Sequence, residues 1–247
     1  MLKRISAYLF DIILLMVAIS GAAFALSAIL GFANHFEKYE ALTDQYLEEY
    51  GITLTDEEYA SLSEEEKVAY DKKCEEADKA FSQDEEATKT FLLIISQSLL
   101  IVSISILIGT IALELVVPLI FGNGQTLGKK IFGLAVMYEN STKLTALGLF
   151  VRTVLGKYTV ETMIPVFIIL MILFGQSTIV GIAVLFIIAV LQLLLLVKSG
   201  TNSVLHDKIS STVVVDMHSQ MIFENVDEMM EYKQRIHKEA AEKKPYF

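Results

Sequence analysis

Charged side chains inside apolar segments are the residues of this chain that could carry chemistry. Asp11, Glu114 and Glu161 each lie in or beside a long apolar run. A charge near the middle of a bilayer costs at least about 2.5 to 3.5 kcal/mol on insertion scales, so such a carboxylate must be paired, protonated or in contact with water. A carboxylate that binds and releases a proton there could exchange it for a cation. In a closed network, the same charges would instead fix the packing of the helices.

Basic residues lie at spacings that could bring them to these carboxylates. Arg4 precedes Asp11 by seven residues, nearly two helical turns, so the two share a helix face with Asp11 roughly 10 Å deeper. We predict an ion pair between them. Glu114 lies about as far from the cytoplasmic end of its helix as Asp11 does, and Glu161 enters from the same side. The expected polar cluster therefore contains Asp11, Glu114 and Glu161 with Arg4, Arg152 or Lys157.

A basic, glycine-punctuated segment, GNGQTLGKKIFGLAV (122–136), follows one of the apolar runs. Gly124 and Gly128 would let another backbone approach closely. Lys129 and Lys130 place two positive charges just beyond the apolar run, which marks the cytoplasmic side of a membrane. We expect both lysines to contact anionic lipid headgroups, an interaction of about 1 kcal/mol per charge.

Several enzyme motifs can be excluded. The phosphate-binding motif G-x-x-x-x-G-K-[ST] does not fit NGQTLGKK. When its G-K is aligned on Gly128 and Lys129, its first glycine falls on Asn123, and Lys130 replaces the Ser or Thr that would hold magnesium. His206 and Asp207 are neighbours, but a lone His-Asp is more often a turn or cap than a metal or catalytic pair. The sequence has no H-E-x-x-H motif. We predict no enzyme activity, no cofactor and no metal.

The composition indicates an integral membrane protein. Of the 247 residues, 53% are hydrophobic, and the mean hydropathy is +0.51. The apolar residues form blocks, and one crossing needs about 20 helical residues. Four spans are expected from blocks at about 5–33, 91–121, 160–174 and 179–197.

Two of these blocks leave alternatives open. The first has the basic start of a signal peptide, but it far exceeds the roughly 7 to 15 apolar residues of such a segment and contains Asp11, which favours a retained helix. The third is short and contains Glu161 and Pro165, so it could be tilted, partly re-entrant or extended by the preceding turn. The sequence GQST (175–178) would close the last two spans into a hairpin.

The segment from Asn34 to Thr90 is acidic, with 18 Asp and Glu against 6 Lys. Thr55 to Glu58 and Ser63 to Glu66 match capping boxes, and Gly51 is a plausible helix stop. A solvated helical surface is favoured, and a surface that collects cations or binds a basic partner is the alternative. Cys74 is the only cysteine, so no internal disulfide can form.

We predict an all-α integral membrane protein, a four-helix transmembrane bundle with an extracytoplasmic helical insertion and small cytoplasmic strand-containing segments. Short strands are expected in FGLAVMY and at the end of KSGTNSVLHDKISSTVVVD, and a capped polar helix from about Asn225 to Lys244. The predicted division is 1–33 for the first transmembrane helix, 34–90 for the acidic domain, 91–121 for the second transmembrane helix, 122–158 for a basic cytoplasmic hairpin, 159–197 for a transmembrane helical hairpin and 198–247 for a cytoplasmic tail.

Basic residues predict the orientation, because positive charges stay on the cytoplasmic side. Both termini should therefore be cytoplasmic and the acidic domain outside. The residues that carry this prediction are Lys3, Arg4, Lys129, Lys130, Arg152, Lys157 and Lys198.

Three segments, taken in order, resemble the RDD family of bacterial membrane proteins: KRISAYLFDIILL, GQTLGKKIFGLAV and LHDKISSTVVV. The family is named for one arginine and two aspartates. Arg4 and Asp11 match the pair in the first helix, and Asp207 matches the second aspartate. The acidic insertion is longer than the usual first loop of the family. The family-motif and cluster residues are Arg4, Asp11, Glu114, Gly124, Gln125, Thr126, Gly128, Lys129, Arg152, Glu161, His206 and Asp207.

The resemblance implies a multi-pass protein of the bacterial cell membrane whose family has no settled biochemical role. Cation/proton antiport has been proposed for some members, and others could be accessory proteins. We therefore expect an accessory or scaffold protein, with a proton-coupled monovalent cation antiporter as the alternative. The expected partners are anionic lipids, monovalent cations and protons, and another membrane protein, but not nucleic acid.

Overall fold

The computed structural model describes residues 2–173, 179–198, 200 and 203–242. Within these ranges, four helices are long and apolar enough to cross a membrane: Leu2–Leu30, Glu85–Phe121, Ala146–Leu173 and Ile179–Lys198. The prediction of a helical membrane protein with four spans is therefore confirmed. The predicted GQST connection (175–178) lies outside the described residues.

The second and third spans each contain a π-helical segment, where the backbone winds more widely than in an α-helix. In the second span, Ile111–Val116 is π-helical between α5 (Glu85–Thr110) and α6 (Val117–Phe121). In the third, Val151–Met163 is π-helical between α8 (Ala146–Phe150) and α9 (Ile164–Leu173). The third span is thus extended towards its N-terminus, and its 28 residues run without interruption through the boundary that we placed at 158/159.

Residues Ala23–Ile104 form one of two compact units. Local sequence signals set the ends of its helices. Both predicted capping boxes are present, and Gly51 adopts a positive φ of 66° beyond the end of the helix that it terminates. The ring of Phe81 lies edge-on to Tyr39 and Tyr46, and Tyr46 donates a hydrogen bond to Asp84 at 2.8 Å. The unit contains the end of α1 (Leu2–Leu30), then α2 (Phe32–Glu49), α3 (Asp56–Ala60), α4 (Glu64–Gln83) and most of α5.

The other unit contains the residues up to Ala22 and those from Ser105 onward. Its strands β1 (Leu134–Tyr138) and β2 (Thr212–Asp216) pair antiparallel, with Ala135 opposite Val215. Alternate strand residues point to opposite faces of the sheet, so each face carries a small apolar core. One core contains Ala135, Met137, Val213 and Val215, and the other contains Val136, Leu144 and Leu149.

Short helices connect this sheet to the spans. Helix α7 (Leu127–Ile131) leads into β1, and α11 (Leu205–Ile209) leads from α10 (Ile179–Lys198) towards β2. Helix α12 (Val226–Glu242) follows, and Asn225 caps it by accepting a hydrogen bond from the backbone N–H of Glu228 at 2.9 Å. The sheet therefore joins the loop between spans two and three to the segment after span four.

Candidate functional site

The carboxylate of Asp11 is held by three groups from the start of α7. It accepts hydrogen bonds from the hydroxyl of Thr126 and from the backbone N–H of Gly128, the latter at 2.8 Å. The ammonium of Lys129 lies 3.8 Å away. Only 8% of the Asp11 side chain is exposed, so the carboxylate is a buried anion with a dedicated set of donors. Thr126 also caps α7, because its hydroxyl oxygen accepts from the backbone N–H of Lys129.

Gly128 makes this arrangement possible because it has no side chain. A Cβ atom there would lie 2.9 Å from both Cγ and Oδ1 of Asp11 and would collide with the backbone oxygen of Ala7. The Ala7 contact is with backbone and cannot be relieved by moving a side-chain end, so α1 and α7 can approach this closely only through a glycine.

Glu114 forms the second acidic group and is paired with Lys157 of the third span. The backbone of the same residue is also bonded, since its carbonyl accepts from the hydroxyl of Thr153 at 3.0 Å. This hydrogen bond ties the second span to the third.

The ammonium of Lys129 interacts electrostatically with both acids, Asp11 and Glu114. Burial lowers the pKa of its ammonium to about 8, although Glu114 and Asp11 both favour the charged form. The gap between the acids is lined by Asp11, Glu114 and three leucines, and it is too small to admit a water molecule. We call Asp11, Glu114, Thr126, Lys129 and Lys157 the Asp11 centre.

A second group, the Arg152 centre, consists of Arg152, Glu161, His206 and Asp207. Oδ1 of Asp207 accepts from Nε of Arg152 at 3.0 Å and from Nη2 at 2.8 Å. The side chains are only 4% and 5% exposed, so this is a buried, charge-assisted pair. Burial alone would raise the pKa of Asp207, but the Arg152 guanidinium, together with His206 and the backbone N–H of Val204, holds that pKa below its ordinary value.

His206 links the Arg152–Asp207 pair to Glu161. Its Nδ1 lies 2.7 Å from Oε2 of Glu161, and its backbone N–H donates to Oε1 at 2.7 Å. Its Nε2 lies 3.0 Å from Nη2 of Arg152. Burial and the nearby guanidinium of Arg152 lower the pKa of His206. Gly156 permits this contact, because a Cβ there would lie 2.7 Å from Cβ and 2.9 Å from Cα of His206.

The π-helical winding of the third span explains how its charged residues act together. A π-helix bonds residue i to residue i+5, so side chains four or five positions apart come close to one line along it. Arg152, Lys157 and Glu161 are spaced by five and then four residues. One helical segment thus supplies a cation to each centre and an acceptor for His206.

Two predictions about the cluster are wrong in detail. Arg4 donates to the backbone carbonyl of Val214 in β2, whereas the recorded ion pair of Asp11 is with Lys129. Glu161 does not join Asp11 and Glu114 but pairs with His206. The single expected cluster is therefore two centres. The physical reason is that α7 folds back against α1, where Thr126, Gly128 and Lys129 reach the carboxylate of Asp11.

The residues of the basic segment have different surroundings. Lys129 points inward instead of towards headgroups, whereas Lys130 is exposed, with its ammonium 3.6 Å from the centroid of the Phe121 ring. Gly124, with a positive φ of 60°, and Gln125 support the sheet and do not enter either centre. The amide of Gln125 donates to the carbonyl of Leu134 at 2.6 Å.

Sequence reasoning missed three residues that complete the site. Gln192 is the one uncharged polar side chain in α10, and its Oε1 accepts from the backbone N–H of Leu205 at 3.3 Å. It also bonds Glu161. A lone amide in an apolar span was the available signal. Thr153 and Gly156 gave no comparable signal, because small residues are common in spanning helices.

Comparison with known proteins gives one match. A family model described as the RDD family matches residues 1–211, a range that includes both centres. No curated protein and no solved structure matches the chain.

Proposed function

This chain belongs to the RDD family of membrane proteins, and from that membership we propose that it is an accessory or scaffold protein of the bacterial cell membrane and not an enzyme. Its role would be to hold the sheet at a fixed position against the spanning helices, as a rigid platform for another membrane protein. The site residues would act by their packing and charge, without binding a cofactor or metal.

The pairing of charges carries this proposal. The two centres contain four carboxylates, and each lies beside a basic partner from a different segment: Asp11 with Lys129, Glu114 with Lys157, Asp207 with Arg152, and Glu161 with His206. Each pair joins elements distant in sequence. Removing one partner of a buried pair is costly, since an uncompensated charge remains. Such pairs would therefore specify one arrangement of spans and sheet.

The narrowness of the gap between Asp11 and Glu114 also supports a structural role. A transporter must let ions reach its coupling carboxylates from water, yet the gap between these two acids admits no water molecule. In the orientation that we propose, the sheet and both termini are cytoplasmic, and Ala23–Ile104 contributes the part outside the cell. Exposed Lys130 would contact anionic headgroups beside the second span.

Ion flux tests the scaffold function directly. Purified protein is placed in liposomes that contain a pH-sensitive dye, and gradients of sodium, potassium or lithium are applied. We expect proton flux no greater than in protein-free liposomes of the same lipid. Cation-dependent proton flux above that level would contradict the scaffold role.

Proton-coupled cation exchange is the second candidate, and the position of Lys129 favours it. In this role the gap between Asp11 and Glu114 would open, a monovalent cation entering it would replace the ammonium charge, and Lys129 would release one proton to water. The total charge of the site would be unchanged. A lysine whose pKa burial lowers to about 8 is suited to this step, because its neutral form is accessible near physiological pH.

The two candidates differ in what Lys129 must do. In an exchanger, Lys129→Met would remove the proton that is traded, so flux would disappear even if the variant folds. In a scaffold, Lys129→Met would only lower stability. Flux and thermal unfolding measured on the same preparation, with Lys130→Met as the matched exposed control, distinguish the two functions.

A further inference from the structure

One of the four carboxylate contacts differs chemically from the others. Lys129, Lys157 and Arg152 are basic groups that are normally charged, whereas the partner of Glu161 is His206, whose side chain ordinarily titrates near pH 6.5. The Glu161–His206 contact also holds the segment 203–211 on the third span, through both the imidazole and the backbone N–H of His206.

The geometry fixes the protonation state of His206. Nη2 of Arg152 lies 3.0 Å from Nε2, and an arginine nitrogen can only donate, so Nε2 must be the acceptor. The single ring proton is therefore on Nδ1, where it is donated to Glu161 at 2.7 Å. A second proton, on Nε2, would point at the N–H groups of the Arg152 guanidinium. The docked arrangement would then lose the hydrogen bond between Arg152 and Nε2.

The charged groups around His206 act in opposite directions. From the third span, Glu161 favours the imidazolium and Arg152 opposes it. From its own helix, Asp207 also favours it, with Oδ1 at 3.6 Å from Nε2. From α10 the neighbouring polar group is Gln192, which is uncharged. Lys208 is paired with Glu139. Burial and Arg152 outweigh the two acids, so the docked segment disfavours the proton.

We infer that His206 is a proton-binding site that controls whether residues 203–211 stay docked on the third spanning helix. In the docked segment the imidazole is neutral. When the segment leaves the helix, Nε2 loses Arg152 as a partner and can take one proton from water. Proton uptake would then oppose redocking, because the imidazolium would again face Arg152.

The sign and size of the effect follow from linkage. The released segment binds a proton with an ordinary pKa of about 6.5, and the docked segment binds it only at lower pH. Docking is therefore fully favoured above about pH 6.5 and weakens as the pH falls below it. Between pH 7.5 and 5.5, the docking equilibrium constant should fall by at most about tenfold, the limit reached when the docked imidazole takes up no proton in this range. This inference rests on the proposed role of the Arg152 centre in holding the sheet to the spans.

Hydrogen exchange of the full-length protein in lipid nanodiscs tests the inference. Protection factors, which remove the pH dependence of intrinsic exchange, are measured for peptides covering 203–211 at pH 7.5 and 5.5. We expect a loss of protection in this segment, with about tenfold as the upper limit. Peptides from α4 (Glu64–Gln83), in the other unit, should not change.

Three variants assign the effect to one group. His206→Asn keeps a donor towards Glu161 but cannot titrate, so protection should become independent of pH. Glu161→Gln removes the neighbouring carboxylate, and the pH dependence should persist because the proton resides on His206. His218→Asn alters an exposed histidine after β2 and should behave as the unmodified protein does.

The outcomes separate this inference from the proposed function. A segment that is protected at pH 7.5 but shows no pH dependence overturns the proton site and leaves the scaffold role standing. A segment that is unprotected even at pH 7.5 contradicts the docked arrangement, and with it the scaffold role. A pH dependence that disappears in Glu161→Gln but survives in His206→Asn assigns the proton to Glu161 and overturns the inference.

Discussion

The backbone N–H of Gly128 donates to the carboxylate of Asp11 at 2.8 Å, although the two residues are 117 positions apart in sequence. One is in the first spanning helix, and the other is in the loop that follows the second span. The contact depends on the glycine twice, for its accessible N–H and for its missing Cβ. Through this contact, two segments that carry family motifs pack directly against each other.

Substitution of Gly128 by alanine should destabilise the protein. The new Cβ would lie 2.9 Å from Cγ of Asp11 and would collide with the backbone oxygen of Ala7. Overpacking of this kind typically costs about 1 to 3 kcal/mol, so the melting temperature in detergent should fall. Gly21→Ala is the matched control, because nothing lies within 4 Å of a Cβ at Gly21. Equal melting temperatures for the two variants would show that α1 and α7 do not pack this closely.

Arg152 and Asp207 should show strong coupling in a double-mutant cycle. Arg152→Met leaves the Asp207 carboxylate buried without its cation, which should cost about 3 to 5 kcal/mol. Adding Asp207→Asn removes that charge, so the double variant should be clearly more stable than the sum of the single losses predicts. Unfolding in mixed micelles measures the cycle.

The exposed pair of Lys143 and Glu224 is the control for this cycle, with separations of 2.9 and 3.0 Å between its charged atoms. Its coupling should be below about 1 kcal/mol, because water screens exposed charges. Strictly additive losses at Arg152 and Asp207 would mean that the buried pair does not stabilise the fold.

Gly156→Ala should release α11 from the third span without unfolding the spans. Its Cβ would occupy the space of the Cα and Cβ atoms of His206. We expect the backbone amides of residues 205–209 to lose protection from hydrogen exchange at pH 7.5, while the protection of helix α4 is unchanged. Normal protection of 205–209 would show that this helix does not rest on Gly156.

Cys74 tests the orientation of the chain in the membrane. If Ala23–Ile104 contributes the external part, a membrane-impermeant thiol reagent should label Cys74 in intact cells. Burial raises the pKa of this half-buried thiol, so labelling should be slow and should accelerate with rising pH.

An exposed position after β2 provides the internal control. Ser219→Cys, introduced together with Cys74→Ser, should react only after the cells are lysed. The reverse pattern of labelling would place the tail outside and invert the proposed topology.

The helical membrane architecture could be predicted from sequence because its signals are local. Apolar blocks of spanning length identified the four crossings, and the capping boxes at Thr55 and Ser63 placed helix starts in the acidic segment. The two short strands were also expected. Their pairing with each other was not predicted, since β1 and β2 are separated by two spans and register is set by tertiary contacts.

The sequence predicts which charged residues belong to the site, but not which of them pair with each other. Charges in apolar segments need partners, which predicts Asp11, Glu114 and Glu161 as site residues. Spacing on one helix, however, predicts Arg4 as the partner of Asp11. Lys129 was the actual cation, and only the return of α7 to α1 shows this. The π-helical winding that aligns Arg152 with Glu161 also has no periodic signature that an α-helical template detects.

The separation between Asp11 and its donors has a consequence for biosynthesis. Translation proceeds at about 5 to 20 residues per second, so Gly128 is made roughly 6 to 23 s after Asp11. Throughout that interval the first helix has no Thr126, Gly128 or Lys129 to stabilise its carboxylate. Until then, Asp11 in the nascent helix must be protonated or in contact with water. The first helix can therefore reach its final depth in the membrane only after the second span and the loop that follows it have been synthesised.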